Sequence, residues 1–331
     1  MPEDGLMARQ RAEAGGGGRM RGPATLASTL RTLGLTIPVV ALLSLPALAD
    51  PLRISGVDYL GDLPTLVADD NGFLARHQGD FEVVYGESGR DNLQSLRAGE
   101  IDFALMAMTP LVFDALRDTT PGGPDDPVIL ANLSHARPQI HLMMLDTAGT
   151  ATGASLRGRR VGVPRETNAD YVLSAIAKIE GVAEDAFIIV DMASADMGDA
   201  LADGRVNAVS TWERWARQLR GRFGDRLTEG PDLGSYVSRW MLVARRETVD
   251  TQPEQVVGVL RAYRDAVDWI QANEDAALAT FDAQFNDGRS GGVAMDLLYD
   301  VTLAWSLVTS YRQQMAWARG RTGTAGAELP S

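Results

Sequence analysis

Several short clusters in this sequence carry side chains suited to holding a small molecule. Thr167 and Asn168 precede a helical pattern, so a hydroxyl, an amide and the free N–H groups of a helix start would face an anion there. Ordinary helix capping is the competing role of the same pair, and the two roles are compatible. Arg90 offers a charge-assisted pair to a sulfonate or carboxylate, or else a solvated loop cation. Tyr59 and Trp212, each at the end of an apolar run, would stack on an organic ligand or pack in a core. Glu213 suits an amine or aminopyrimidine donor, or a salt bridge to Arg214 or Arg217. The chemistry these types share is recognition rather than bond breaking. His77, His135 and His141 show no metal spacing and read as surface or hinge residues. Lys178, the single lysine, lies mid-helix and reads as solvent-facing. There is no phosphate loop, nucleophile elbow or zinc helix. With zero cysteines, disulfides, thiolate metal sites, a Cys nucleophile and a lipid-anchored N-terminal Cys are excluded. No catalytic residue, metal or cofactor is expected.

These clusters sit in a chain of 331 residues, 45% hydrophobic, with a net charge of −13. That is enough for two globular domains or one large one. From Met20, Arg21 and Arg31 precede an uncharged stretch from Leu33, and Ala47-Leu48-Ala49 closes it, the order of a secretory signal peptide cleaved after Ala49. Gly34, Pro38 and Pro46 make it a poor membrane span against the roughly 20 apolar residues a bilayer needs. Residues 1–19 lie ahead of Met20, a third candidate start after Met1 and Met7. Removing residues 1–49, with five Arg and three acidic residues, leaves a net charge of −15. Nucleic acid and anionic lipid need a basic footprint that this chain lacks.

The elements that must position the clusters alternate throughout: short apolar strands and helical patterns, an α/β arrangement with largely parallel sheets. Strands are expected at "LRISGVDY", "FEVVYGES", "EIDFALM", "PVILANLS", "QIHLMMLD", "RRVGVP", "AFIIVD", "RVNAVSTW" and "SRWMLVARRE". Asp62 is positioned to cap the helix "LPTLVADDN". From Pro253 onward the pattern reads as helical to "VAMDLLYDVTLAWSLVTSYRQQMAWA", ending in the tail "GRTGTAGAELPS". One unit occurs twice, 105 residues apart. "LRAGEIDFALMAMTP" (96–110) and "LADGRVNAVSTWERW" (201–215) align Leu96 with Leu201, Gly99 with Gly204, Ile101 with Val206 and Asp102 with Asn207. A ligand in an open α/β sheet binds beyond the strands' carboxyl ends, so two facing lobes would bring both unit ends to one cleft. An accidental echo is the alternative.

The ordered series resembles a known family. "LPTLVADDNGFLARHQGDFEVVYGESGRDNLQSLRAGEIDFALMAMTP", "LRGRRVGVPRETNADYVLSAIAK" and "MGDALADGRVNAVSTWERW" are similar to the extracytoplasmic substrate-binding proteins of ABC importers for nitrate, sulfonates, taurine and thiamine-pyrimidine precursors (NMT1-like), from about Leu52 to Phe285. The resemblance implies a periplasmic-binding-protein type II fold: two α/β lobes, 50–134 plus 246–331 and 135–245, with a ligand cleft between them. It places ligand contacts at Asp58, Tyr59, Ser88, Arg90, Met108, Thr109, Thr167, Asn168, Trp212 and Glu213. Where the family has "GT" and "WEP", this chain has Glu166-Thr167 and Trp212-Glu213-Arg214, departures that leave the ligand open. The implied protein is a periplasmic monomer that closes on a small solute and delivers it to an inner-membrane permease, with no membrane insertion of its own. A sensory subunit presenting its ligand to a membrane receptor is an alternative. A pyrimidine-synthase-like enzyme is another, set against by the missing cysteines and the mid-helix lysine.

Overall fold

Apolar runs that can be buried on both faces form the centres of two separate sheets. The computed structural model describes residues 51–78, 81–117, 121–137, 140–146, 151–231, 236–285 and 296–322. The signal peptide and cleavage site, the proposed starts and the tail from 323 onward lie outside the described residues. In the first sheet, β1 (Leu52–Val57), β2 (Phe81–Gly86) and β3 (Phe103–Met106) run parallel, and all four residues of β3 are buried. β10 (Ser238–Arg245) pairs antiparallel with β3, β4 (Pro127–Arg137) antiparallel with β10, and β11 (Asp296–Thr302) antiparallel with β4, giving the order β11-β4-β10-β3-β1-β2. The second sheet has the order β7-β6-β8-β5-β9, from β5 (Ile140–Leu145), β6 (Arg160–Val163), β7 (Ile188–Asp191), β8 (Ala208–Trp212) and β9 (Leu227–Glu229). There β6 pairs parallel with β7 and β8, while β5 pairs antiparallel with β8 and β9.

Both sheets are therefore mixed rather than largely parallel. The chain crosses between sheets twice, and the returning strands enter in reverse. Sheet membership also differs from the expected lobe limits. β4 runs to Arg137, and β10 belongs to the first sheet because its apolar stretch Trp240–Ala244 fills the buried position between β3 and β4.

Helices cover both faces of each sheet. On the first, α1 (Leu63–Asp70), α2 (Phe73–Gln78) and α9 (Pro253–Ala272) bury Leu66, Leu74, Val259 and Tyr263 on one side, with α8 (Arg246–Thr251) and α10 (Glu274–Phe285) alongside. α3 (Gly89–Arg97), α4 (Met108–Arg117) and α11 (Trp305–Thr322) bury Leu96, Val112 and Met315 on the other. On the second sheet, α5 (Asn168–Ile179) packs Val172, Leu173 and Ile176 on one face. α6 (Met197–Ala202) and α7 (Glu213–Phe223) pack Leu201 and Leu219 on the other. Among the described residues no helix is long and apolar enough to cross a membrane.

The echoing units share one glycine turn and one backbone clip. Gly99 (φ +71°) and Gly204 (φ +66°) both close a helix in the left-handed region, where a Cβ would be strained. The Asp102 N–H donates to Arg53 O at 2.9 Å, and Asp102 Oδ2 accepts the Arg53 N–H at 3.0 Å. The Asn207 N–H donates to Arg160 O at 2.8 Å, and Asn207 Oδ1 accepts the Arg160 N–H at 3.0 Å. Each unit thus clips the start of its strand to the start of the neighbouring one.

A helix expectation also fails. Residues 296–302, read as helix, form β11, an edge strand paired with β4 from Asp296↔Arg137 to Thr302↔Asn132. Leu298 points outward while Tyr299 reaches back to donate its hydroxyl to Leu60 O at 2.7 Å. An available sheet edge overrides a locally helix-compatible pattern.

Candidate functional site

The carboxyl ends of β1, β2 and β8, together with the loop after β6, open on a cleft of about 700 Å³ between the two sheets. Its first wall is the turn after β1. Asp62, 2% exposed, pins that turn from beneath: Oδ2 accepts the Val57 N–H at 2.7 Å, and Oδ1 accepts the Thr65 hydroxyl at 2.5 Å. Thr65 Oγ1 lies 2.9 Å from Tyr263 OH. The Asp62 side chain therefore holds the turn rather than capping α1, and burial pushes its carboxyl up to about 7, only partly offset by these hydrogen bonds. Val57, Asp58, Tyr59 and Leu60 of that turn face the cleft, with Tyr59 edge-to-face on Trp240 at 5.1 Å.

The second wall is α3. Buried Asn92 donates to Leu105 O at 2.9 Å and accepts the Ser55 hydroxyl at 2.6 Å, fixing the helix to the ends of β1 and β3. This sets Ser88 and Arg90 at the cleft. Ser88 Oγ donates to Asp91 Oδ2 at 2.7 Å and accepts the Asp91 N–H at 3.3 Å. Arg90 crosses to the second lobe, donating to Arg165 O at 3.0 Å, with Asp191 at 3.7 Å.

The third wall comes from the second sheet. Thr167 does not cap α5, because its hydroxyl donates to Pro164 O at 2.6 Å. Trp212, ahead of α7, has no hydroxyl to offer. The first-turn N–H groups of α5 and α7 thus carry no side-chain cap, and their positive helix ends lie beside the cleft. Trp212 Nε1 donates to Asn168 Oδ1 at 2.9 Å, and Asn168 Nδ2 donates to Ser238 Oγ at 3.3 Å. Behind them Glu213 meets His141 Nε2 at 2.6 Å, Arg220 at 3.0 Å and Arg217 at 3.9 Å. Burial alone would raise the Glu213 carboxyl, but His141 and Arg220 hold it below the usual range. Asp58 pairs with Arg214 across the cleft. Its carboxyl is nonetheless raised, because desolvation outweighs Arg214 and Arg217.

Eight of the ten expected residues line the cleft: Asp58, Tyr59, Ser88, Arg90, Thr167, Asn168, Trp212 and Glu213. Met108 and Thr109 do not. They open α4 facing inward, Met108 into the first-lobe core and Thr109 donating its hydroxyl to Gln314 Oε1 at 2.7 Å, so that only Ala107 and Pro110 of that stretch reach the cleft. Glu213 takes the salt-bridge role, with His141 and Arg220 as its main partners and Arg217 further off. Sequence reasoning missed Tyr85, Glu87, Arg217, Trp240 and one face of α10, Asp275, Leu278 and Asp282. Spacings of three and four on α10 were a legible signal, yet they match those of any solvated helix face.

The arrangement can enclose an organic solute between aromatic rings, helix N-termini and guanidinium groups. Among the described residues no cluster of His, Asp or Glu could hold a metal ion. Residues 62–277 match the family model described as NMT1/THI5 like. A protein of Brucella abortus named provisionally as a binding protein is 23% identical over 247 residues, covering 72% of this chain and 74% of that one. The periplasmic aliphatic sulphonate binding protein SsuA from Escherichia coli superposes with a TM-score of 0.62 at 15% identity, over 84% of this chain and 94% of that one. The desulfurization enzyme DSZB gives a TM-score of 0.58 at 15% identity, over 82% and 92%. The fold is that of periplasmic binding proteins.

Proposed function

The chain belongs to the NMT1/THI5-like family, and on that premise we propose that it is the solute-binding component of an ABC importer in the periplasm, exported by the leader ahead of Asp50. The solute class is a small organic anion, with an alkanesulfonate as the first choice. One observation carries this reading: α5 and α7 present uncapped N-termini to a cleft that also holds Arg217 and the rings of Tyr59, Tyr85 and Trp212. A solute reaching both lobes would favour the closed arrangement by its differential affinity, and the closed form would dock on the permease.

The fold is shared with a desulfurization enzyme, which raises a second reading as a catalyst on a sulfur-bearing substrate. In this chain no thiol exists to act as nucleophile, and the cleft glutamate is engaged by His141 and Arg220. Thermal-shift measurements across alkanesulfonates, taurine, nitrate and aminopyrimidines test the binding reading, supported by mass spectrometry of any solute released from natively purified protein. Stabilisation by one class without its chemical conversion is expected. Absence of stabilisation by every class, with nothing co-purifying, would overturn it.

A further inference from the structure

α11 belongs to the first lobe by its packing and reaches the second with its last turn. Leu307, Met315 and Ala318 are buried against α4 and the first sheet, and Gln314 accepts the Thr109 hydroxyl. Trp317 then stands between Phe113 of the first lobe (5.4 Å) and Tyr171 of the second (5.1 Å), edge-to-face with both. One turn later Arg321, its side chain 9% exposed, meets Asp170 Oδ1 at 3.0 Å and Glu184 at 3.4 Å, and donates to Ser174 Oγ at 2.7 Å. Asp170 is fully buried in the first turn of α5. Its other oxygen accepts the N–H of Glu166, a residue held at φ +63° directly before the cleft residues Thr167 and Asn168. Burial raises the Asp170 carboxyl, and Arg321 is the largest influence opposing that.

We infer that the last turn of α11 is a strap between the lobes, with Arg321 a positioning residue. Anchored on the first lobe, it fixes the α5 start of the second and sets the angle between the walls of the cleft. Swinging α5 away would strand a buried carboxylate without its cation or drag α11 from its seat, and both are costly. The strap biases the ligand-free protein toward a narrow range of lobe angles. Its effect on solute affinity rests on the cleft being the binding site; its effect on lobe geometry does not.

The protein has no cysteine, so a spin-label pair can be introduced cleanly at exposed positions, Asp70→Cys in the first lobe and Ala202→Cys in the second. Pulsed electron-paramagnetic-resonance distances are then measured without ligand. The otherwise unaltered labelled protein and Arg321→Lys are expected to give one narrow distribution, and Arg321→Met a broader one displaced to longer distance. Adding Asp170→Asn to Arg321→Met should broaden it no further, because the pair is already lost. If Arg321→Met fails to fold, Asp170→Asn with Arg321 intact is expected to broaden the distribution in its place. In parallel, propanesulfonate titration should show Arg321→Met weakened about 10-fold, within the range of typical coupling between sites. An unchanged narrow distribution in folded variants lacking the pair overturns the strap. Failure of propanesulfonate and every other solute to bind the unaltered protein overturns the functional reading alone.

Discussion

Replacing Asp62 with Asn should make the protein less sensitive to alkaline pH, and the size of the effect follows from the turn beneath the cleft. The carboxyl is 2% exposed and held by the Val57 N–H and the Thr65 hydroxyl, both neutral donors. Its folded value is pushed up to about 7 from 3.8, a rise of about 3 units worth roughly 4 kcal/mol at 1.36 kcal/mol each. The sign is set by proton counting. Between about pH 4 and pH 7 the folded state holds a proton that the unfolded state has released, so stability falls as pH rises through that window. An amide can accept from Val57 and donate to Thr65, whose hydroxyl then turns to Tyr263; the exchange costs about 1 kcal/mol in hydrogen-bond quality. Asp62→Asn should therefore be the less stable protein by about 1 kcal/mol near pH 3, about equal near pH 4.5, and the more stable by about 3 kcal/mol at pH 7.5. Urea unfolding of both proteins at intervals across this range measures it, provided the m values agree. Other titrating groups cancel in the difference because they are common to both. Two pH curves that stay parallel within about 0.5 kcal/mol would refute the reasoning, since the buried carboxyl would then not change its charge in this window.

Three further substitutions probe the cleft and its supports. Gly89→Ala puts a Cβ 2.9 Å from the Met106 Cα, so a loss of about 2 kcal/mol is expected in thermal unfolding, together with weaker solute binding as α3 shifts. Thr109→Val leaves buried Gln314 without its donor and should cost about 1–2 kcal/mol with solute affinity unchanged; a large affinity loss would put Thr109 back in the site. Glu213→Gln should lower stability by about 1 kcal/mol at pH 7, discounted for the partial exposure of the pair. That difference should vanish as acid protonates the native glutamate below about pH 4.5, as read by denaturation at pH 7 and pH 3.5.

Much of this structure was legible in the residues. The twin units carried their geometry openly: a glycine where a helix must turn left-handed, then a short Asx residue able to bridge to the strand beside it. The helix start at Thr167 and Asn168 was readable because strand, polar pair and apolar stripe follow one another locally. What failed was non-local. β11 is a strand because β4 offers an open edge 159 residues earlier, which no window around Asp296 contains. Met108 and Thr109 stand where the cleft could have been, and the direction in which α4 leaves β3 turns them inward. Asp275 and Asp282 look like a solvated helix face, and they are wall residues only because α10 is carried round to the mouth of the cleft. Glu213 was read for a ligand or for Arg214 or Arg217, but its closest partners are His141, on β5, and Arg220, two turns along α7.

The position of β10 has a consequence for how the molecule comes into being. All five strands of the second sheet lie between Ile140 and Glu229, an unbroken stretch that can complete its own hydrogen bonding. The first sheet cannot do so. The strand that sits between β3 and β4 begins at Ser238, so nothing joins those two until the whole second lobe has been made. A chain delivered amino end first must therefore hold three parallel strands and a bare β4 in waiting while the later lobe forms. The half that comes first in the sequence is the last to be finished, and long-range closure of that kind slows folding and prolongs exposure of open strand edges. In this architecture the two crossings that form the cleft also fix the order in which its walls are built.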